Sequence, residues 1–134
     1  MKTSKVEYLG ELRTKCTHLR SGQEFFTDAP LDNNGKGEAF SPTDLASTSL
    51  ASCMLTVMGI AARTYEIKME GAYADVLKIM ADNPRRIASI EVDIYMPSVE
   101  YNNKQKSILE NAAKTCPVGR SLNTELKEIL RFHW

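Results

Sequence analysis

The stretch that most limits how this chain can fold begins at Ser41. Ser41 can cap a helix, and Pro42 suits the first helical position, where its missing N–H would be unpaired anyway. Asp44 sits three residues after the cap, where a carboxylate meets free backbone N–H groups. These signals predict a helix over residues 42–66. Its Leu45, Leu50, Met54, Leu55, Val57, Met58 and Ile60 occupy nearly the whole circumference, while Ala46, Ser47, Ser49, Ala51 and Ser52 keep one segment slim. A helix apolar on all sides belongs inside a protein, packed closely on another backbone. A chain of 134 residues has one core to offer and struggles to cover such a helix alone.

The rest of the chain reads as short strands and one further helix. Strands are expected over residues 5–9, 11–19 and 24–28, with Arg20, Ser21, Gly22 and Gln23 as a hairpin turn. Alternation places Arg13, Lys15 and Thr17 on one face of the second strand, and Thr14, Cys16 and His18 on the other. Residues 29–40 have no periodicity and form a loop. Residues 72–81 and the alternating Ile90, Val92, Ile94 and Met96 make a second hairpin through residues 82–85. From Asn102, the apolar spacing of Ile108, Leu109, Ala112, Ala113 and Cys116 marks one stripe of an amphipathic helix, so Cys116 faces the core. Pro117 excludes helical geometry at the residue before it and breaks that helix at Cys116. Residues 126–132 suit a closing strand, with helix almost as good a fit to the pattern. No repeat or linker interrupts the chain, and a single domain over residues 1–134 is expected.

Charge and composition remove several classes of function. Seventeen Lys and Arg balance seventeen Asp and Glu, so the chain lacks the basic surplus that holds nucleic acid. The nearly apolar run over residues 50–62 is shorter than the roughly 20 residues of a bilayer span. The first residues lack the apolar core of a secretion signal, so a cytoplasmic location is expected. Three cysteines, Cys16, Cys53 and Cys116, are too few for a disulfide framework.

No metal, phosphate or hydrolase pattern is present. The Cys and His residues have no paired ligand spacing, residues 33–37 lack the lysine placement of a phosphate loop, and no nucleophile elbow occurs. No cofactor is expected. Cys53 lies about three turns inside its helix, beyond the reach of the helix dipole, so a reactive thiolate there needs a cation from elsewhere. Without one, a helix thiol is simply a small apolar side chain.

Two motifs together resemble the OsmC/Ohr family, the osmotically inducible and organic-hydroperoxide-resistance proteins. Ser41-Pro42-Thr43-Asp44-Leu45, opening a small-residue helix with Ala51-Ser52-Cys53, is similar to the family's first cysteine helix. Cys116-Pro117-Val118-Gly119-Arg120-Ser121-Leu122 is similar to its second motif. The resemblance implies an α+β fold with a curved antiparallel sheet, a central buried helix carrying Cys53, and an intertwined homodimer with its active site at the interface. It also implies a peroxidase for organic hydroperoxides, with Cys53 attacking, Cys116 resolving and an external dithiol as reductant. The activating cation corresponds to Arg13, with Arg20 as the other candidate.

One departure stands out. The family's peroxidases hold that arginine with a glutamate two positions after the helix cap, where this chain has Thr43. Asp44 is one residue on, about 100° round the helix, and is expected to serve as a capping carboxylate. Two other roles fit the same fold: a noncatalytic protein binding an apolar ligand at the dimer interface, and a structural dimer with inert thiols. Cys16 is expected to be a packed strand residue.

Overall fold

Alternation in the first thirty residues produces three antiparallel strands, β1 (Ser4–Gly10), β2 (Arg13–His18) and β3 (Glu24–Asp28), in the order β1-β2-β3. The structure, a computed structural model, describes residues 1–134 in two compact units, residues 1–46 and 47–134. In the first unit the β2–β3 turn closes at Gly22, whose N–H donates to His18 O at 2.7 Å. The β1–β2 turn differs from expectation. Glu11 and Leu12 do not begin the second strand but form the tight turn itself, both with positive φ, 56° and 60°. That backbone hand matches the twist of a hairpin and costs these two residues local strain.

The two faces of this sheet separate as alternation requires. Lys15 Nζ lies 3.6 Å from Glu7 and 3.3 Å from Glu24 on one face. Val6, Cys16 and Phe25 form a cross-strand row on the other, beside Tyr8, Thr14 and Thr27. Val6 and Tyr8 remain 61% and 67% exposed, so the β1 side of this apolar face lies open.

Helix α1 (Pro42–Thr64) starts at the end of the first unit and runs into the second. Ser41 and Asp44 cap it reciprocally: Asp44 N donates to Ser41 Oγ and Ser41 N to Asp44 Oδ2, each at 3.0 Å. Its buried residues are Ser47, Leu50, Ala51, Met54, Met58 and Ala62, which trace a single stripe. The expectation of burial on all sides is therefore corrected for one chain. Ile60 is 62% exposed, and Ser52 and Thr56 face outward, because packed elements of one unit meet only one side of a cylinder. By length and hydropathy α1 also suits a bilayer span, a test that core helices of globular domains pass as well.

The second sheet has the order β4 (Tyr73–Ala81), β5 (Arg86–Tyr95), β6 (Lys127–His133). Strands β4 and β5 form the expected antiparallel hairpin, whereas β6 runs parallel to β5. The antiparallel expectation fails at this pair because α2 (Asn103–Ala113) and α3 (Pro117–Ser121) lie between β5 and β6, long enough for a crossover. Asn102 and Gln105 cap α2 reciprocally. Ile90, Val92 and Ile94 of β5, Leu50, Met54 and Met58 of α1, and Leu109 and Ala113 of α2 build the core. On the sheet's other face, Arg131 grips Asp93 at 2.7 Å and Glu91 at 2.7 Å, and Tyr95 stacks between Tyr73 and His133.

Candidate active site

Pro117 does what the sequence requires of it. Regular helix α2 stops at Ala113, Cys116 is extended (φ −62°, ψ 134°), and Pro117 opens the short helix α3. Cys116 thereby becomes the cap of α3, its Sγ accepting from Gly119 N at 3.2 Å. The thiol is buried, 2% exposed. Cys53, half-buried on α1, packs against the same core, and both thiols are free.

Cys53 and Cys116 are neighbours across the core. Burial pushes the Cys116 thiol above its usual pKa; the Gly119 N–H opposes this, and the neighbouring Cys53 and Glu128 push it further up. Cys116 also lines a cavity of about 480 Å³ with Met54, Ala113, Lys114, Gly119, Arg120, Glu128 and Leu130. Apolar walls with a few charged groups are the usual make-up of a small-molecule site.

Arg13 and Arg20 lie in the first unit. Arg20 is exposed in the hairpin turn. Arg13 is held: Nε donates to Asp28 Oδ1 at 2.7 Å, Nη2 to Asp28 Oδ2 at 2.8 Å, and Nη2 also to Glu38 Oε2 at 3.0 Å. Asp28 is 1% exposed, and the Arg13 hydrogen bonds hold its carboxyl below the usual range against the opposing effect of burial. A two-pronged bond of this kind fixes the guanidinium plane, and the Phe26 ring lies 6.0 Å from its Cζ.

These partners account for the missing glutamate. Thr43 turns its hydroxyl to Ser41 Oγ, 3.2 Å away, and Asp44 caps α1, while Asp28 and Glu38 supply the arginine's carboxylates. Sequence reasoning missed both, because β3 and a loop reach Arg13 only through strand pairing, Arg13 lying opposite Asp28. It also missed Glu128. The signal was available: Leu126, Glu128, Leu130 and Phe132 share one face by alternation, so a carboxylate interrupts an apolar row. Cys16 is half-buried with its Sγ 4.0 Å from Thr14 Oγ1, on the face opposite Arg13. No group of three or more His, Cys, Asp or Glu residues could hold a metal ion.

Comparison with known proteins places this architecture. The family model described as OsmC-like protein matches residues 35–129. No curated protein matches the chain. A solved structure from Psychrobacter arcticus, of a protein named for osmotic stress induction and a detoxification response, is 50% identical. It superimposes with a TM-score of 0.95 over 99% of this chain and 96% of that one. The organic hydroperoxide resistance protein OsmC of Legionella pneumophila shares the fold at 14% identity, with a TM-score of 0.78 over 100% and 98% of the two chains. The organic hydroperoxide resistance protein OhrB of Bacillus subtilis does so at 15% identity, with a TM-score of 0.69 over 98% of each. By its family match and its likeness to a protein of the same fold at 50% identity, this chain belongs to the OsmC-like protein family.

Proposed function

We propose that this protein is a thiol-dependent peroxidase that reduces organic hydroperoxides in the cytoplasm as a homodimer. The observation that carries this reading is the proximity of two free thiols, Cys53 half-buried and Cys116 buried, the latter lining a largely apolar cavity. Cys53 thiolate attacks the terminal peroxide oxygen, the O–O bond breaks, and the departing alkoxide takes up a proton to leave as an alcohol. The resulting sulfenic acid condenses with the Cys116 thiol, releasing water and leaving a disulfide that an external dithiol reduces. Arg13, a permanent cation held rigid by Asp28 and Glu38, is the group assigned to stabilise the Cys53 thiolate. The uncovered stripe of α1 and the apolar face of the first sheet support a second copy as the missing cover.

The test is a count of free thiols on the reduced protein before and after a stoichiometric pulse of tert-butyl hydroperoxide, with peptide mapping. Rapid loss of two thiols per chain as a Cys53 to Cys116 link, abolished by Cys53→Ser, is the expected result. Unchanged thiols overturn the reading and favour the noncatalytic one, in which an apolar molecule occupies the cavity and stays bound in a native mass spectrum.

A further inference from the structure

Cys116 is poorly suited on its own to the second half of this cycle. A sulfenic acid is attacked by thiolate, yet burial and two neighbouring groups keep Cys116 protonated near neutral pH. The step needs a proton acceptor at that sulfur.

Glu128 stands where one would have to be. On β6 it lies opposite Ile90, just as Leu130 lies opposite Val92 and Phe132 opposite Ile94, so it occupies the core-facing row of the sheet. Ile90, Val92 and Ile94 are at most 1% exposed. Glu128 is itself exposed to solvent, and its carboxylate comes to the same small space as the thiol. A Cβ placed on Gly119 would sit 2.9 Å from Glu128 Oε1 and 3.3 Å from Cys116 Sγ, so carboxylate and sulfur border the same small space that only glycine leaves open. Both groups line the same cavity. The charged side chains around it are Lys114 and Arg120 on the cavity wall and Lys78, which shares the cross-strand row through Ile90.

We propose that Glu128 is the general base of the resolving step, taking the proton from Cys116 as its sulfur attacks Cys53. This rests on the peroxidase reading above. The S–S bond forms, the S–O bond of the sulfenic acid breaks, and the departing hydroxide recovers the proton as water. Sulfenic acid plus thiol gives disulfide plus water, Glu128 returns to carboxylate, and no further redox agent is consumed. Gly119 N–H, already bonded to Sγ, stabilises the thiolate as it develops.

One property favours this over a structural role: partial burial raises the Glu128 pKa, which brings its basicity closer to that of the thiol than an ordinary carboxylate's.

The test compares wild type with Glu128→Gln, which keeps the side-chain volume. Each reduced full-length protein is mixed with stoichiometric tert-butyl hydroperoxide and quenched at intervals, with dimedone trapping the sulfenic acid. Glu128→Gln is expected to oxidise Cys53 at close to the wild-type rate and to accumulate sulfenic acid. Disulfide formation should slow by at least about tenfold, Glu128→Asp should recover part of it, and the melting temperature at pH 7 should be equal or higher. Disulfide formation at the wild-type rate in Glu128→Gln overturns the proposal, as does loss of folding in that variant combined with a wild-type rate in Gly119→Ala. Absence of any Cys53 to Cys116 link in the wild type instead overturns the peroxidase reading, and this step with it.

Discussion

Replacing Asp44 by Ala separates the two jobs that a carboxylate at the start of α1 could have. In the structure Asp44 Oδ2 accepts from Ser41 N at 3.0 Å, and Ser41 is 1% exposed, so truncation leaves a buried N–H without that acceptor. An unsatisfied buried group costs about 1–3 kcal/mol, and loss of a first-turn carboxylate from the helix dipole roughly 0.3–1 kcal/mol more. For a chain of this size a loss of about 2 kcal/mol lowers the melting temperature by roughly 6–10 °C. Thermal unfolding followed by circular dichroism measures that shift. The peroxide pulse on the same sample, below the transition, should still remove two thiols at close to the wild-type rate, because Arg13 is held by Asp28 and Glu38. An unchanged melting temperature together with abolished Cys53 oxidation would falsify the capping assignment and show that Asp44 holds the arginine after all.

Other perturbations follow from the same geometry. Asp28→Asn, which loosens the two-pronged grip on Arg13, should slow alkylation of Cys53 by iodoacetamide at pH 7, whereas an unchanged rate would remove Arg13 from the thiol chemistry. Arg131 and then His133 pull the Asp93 carboxyl well below 3.8, its ordinary value. A depressed acid contributes stability that is present above its unfolded pKa and lost as pH falls below it, so Asp93→Asn should flatten the acid limb of urea-unfolding stability measured from pH 6 to pH 2. Leu109, fully buried in the core cluster, should cost about 2–5 kcal/mol when cut to Ala, seen as a lower urea midpoint with unchanged slope. Cys16→Ser should leave the two-thiol stoichiometry of the pulse intact; loss of one of the two would place Cys16 in the reaction.

What the sequence determined by itself is what short-range physics controls. Ser41, Pro42 and Asp44 announce the start of α1 because a helix end needs partners within three residues. Pro117 breaks the chain at Cys116 because its ring clashes with the residue before it. The apolar stripe over Ile108, Leu109, Ala112, Ala113 and Cys116 marked that thiol as buried, although α2 itself stops at Ala113 and Cys116 lies beyond it. Alternation likewise separated Arg13 from Cys16, and the two thiol motifs were legible as a pair.

Tertiary structure decided the rest. Residues 126–132 fit strand and helix nearly equally by pattern, and only pairing with β5 selects a strand and makes it parallel. Glu11 and Leu12 have strand-like neighbours, and the closing of the hairpin forces them into positive φ. Asp28 and Glu38 reach Arg13 across a strand pair and a loop, and Glu128 and Cys116 both border the space at Gly119. Caps, prolines and periodicity act over one or two turns of chain, whereas which carboxylate meets which cation or thiol depends on strand register and on helices folding back over tens of residues.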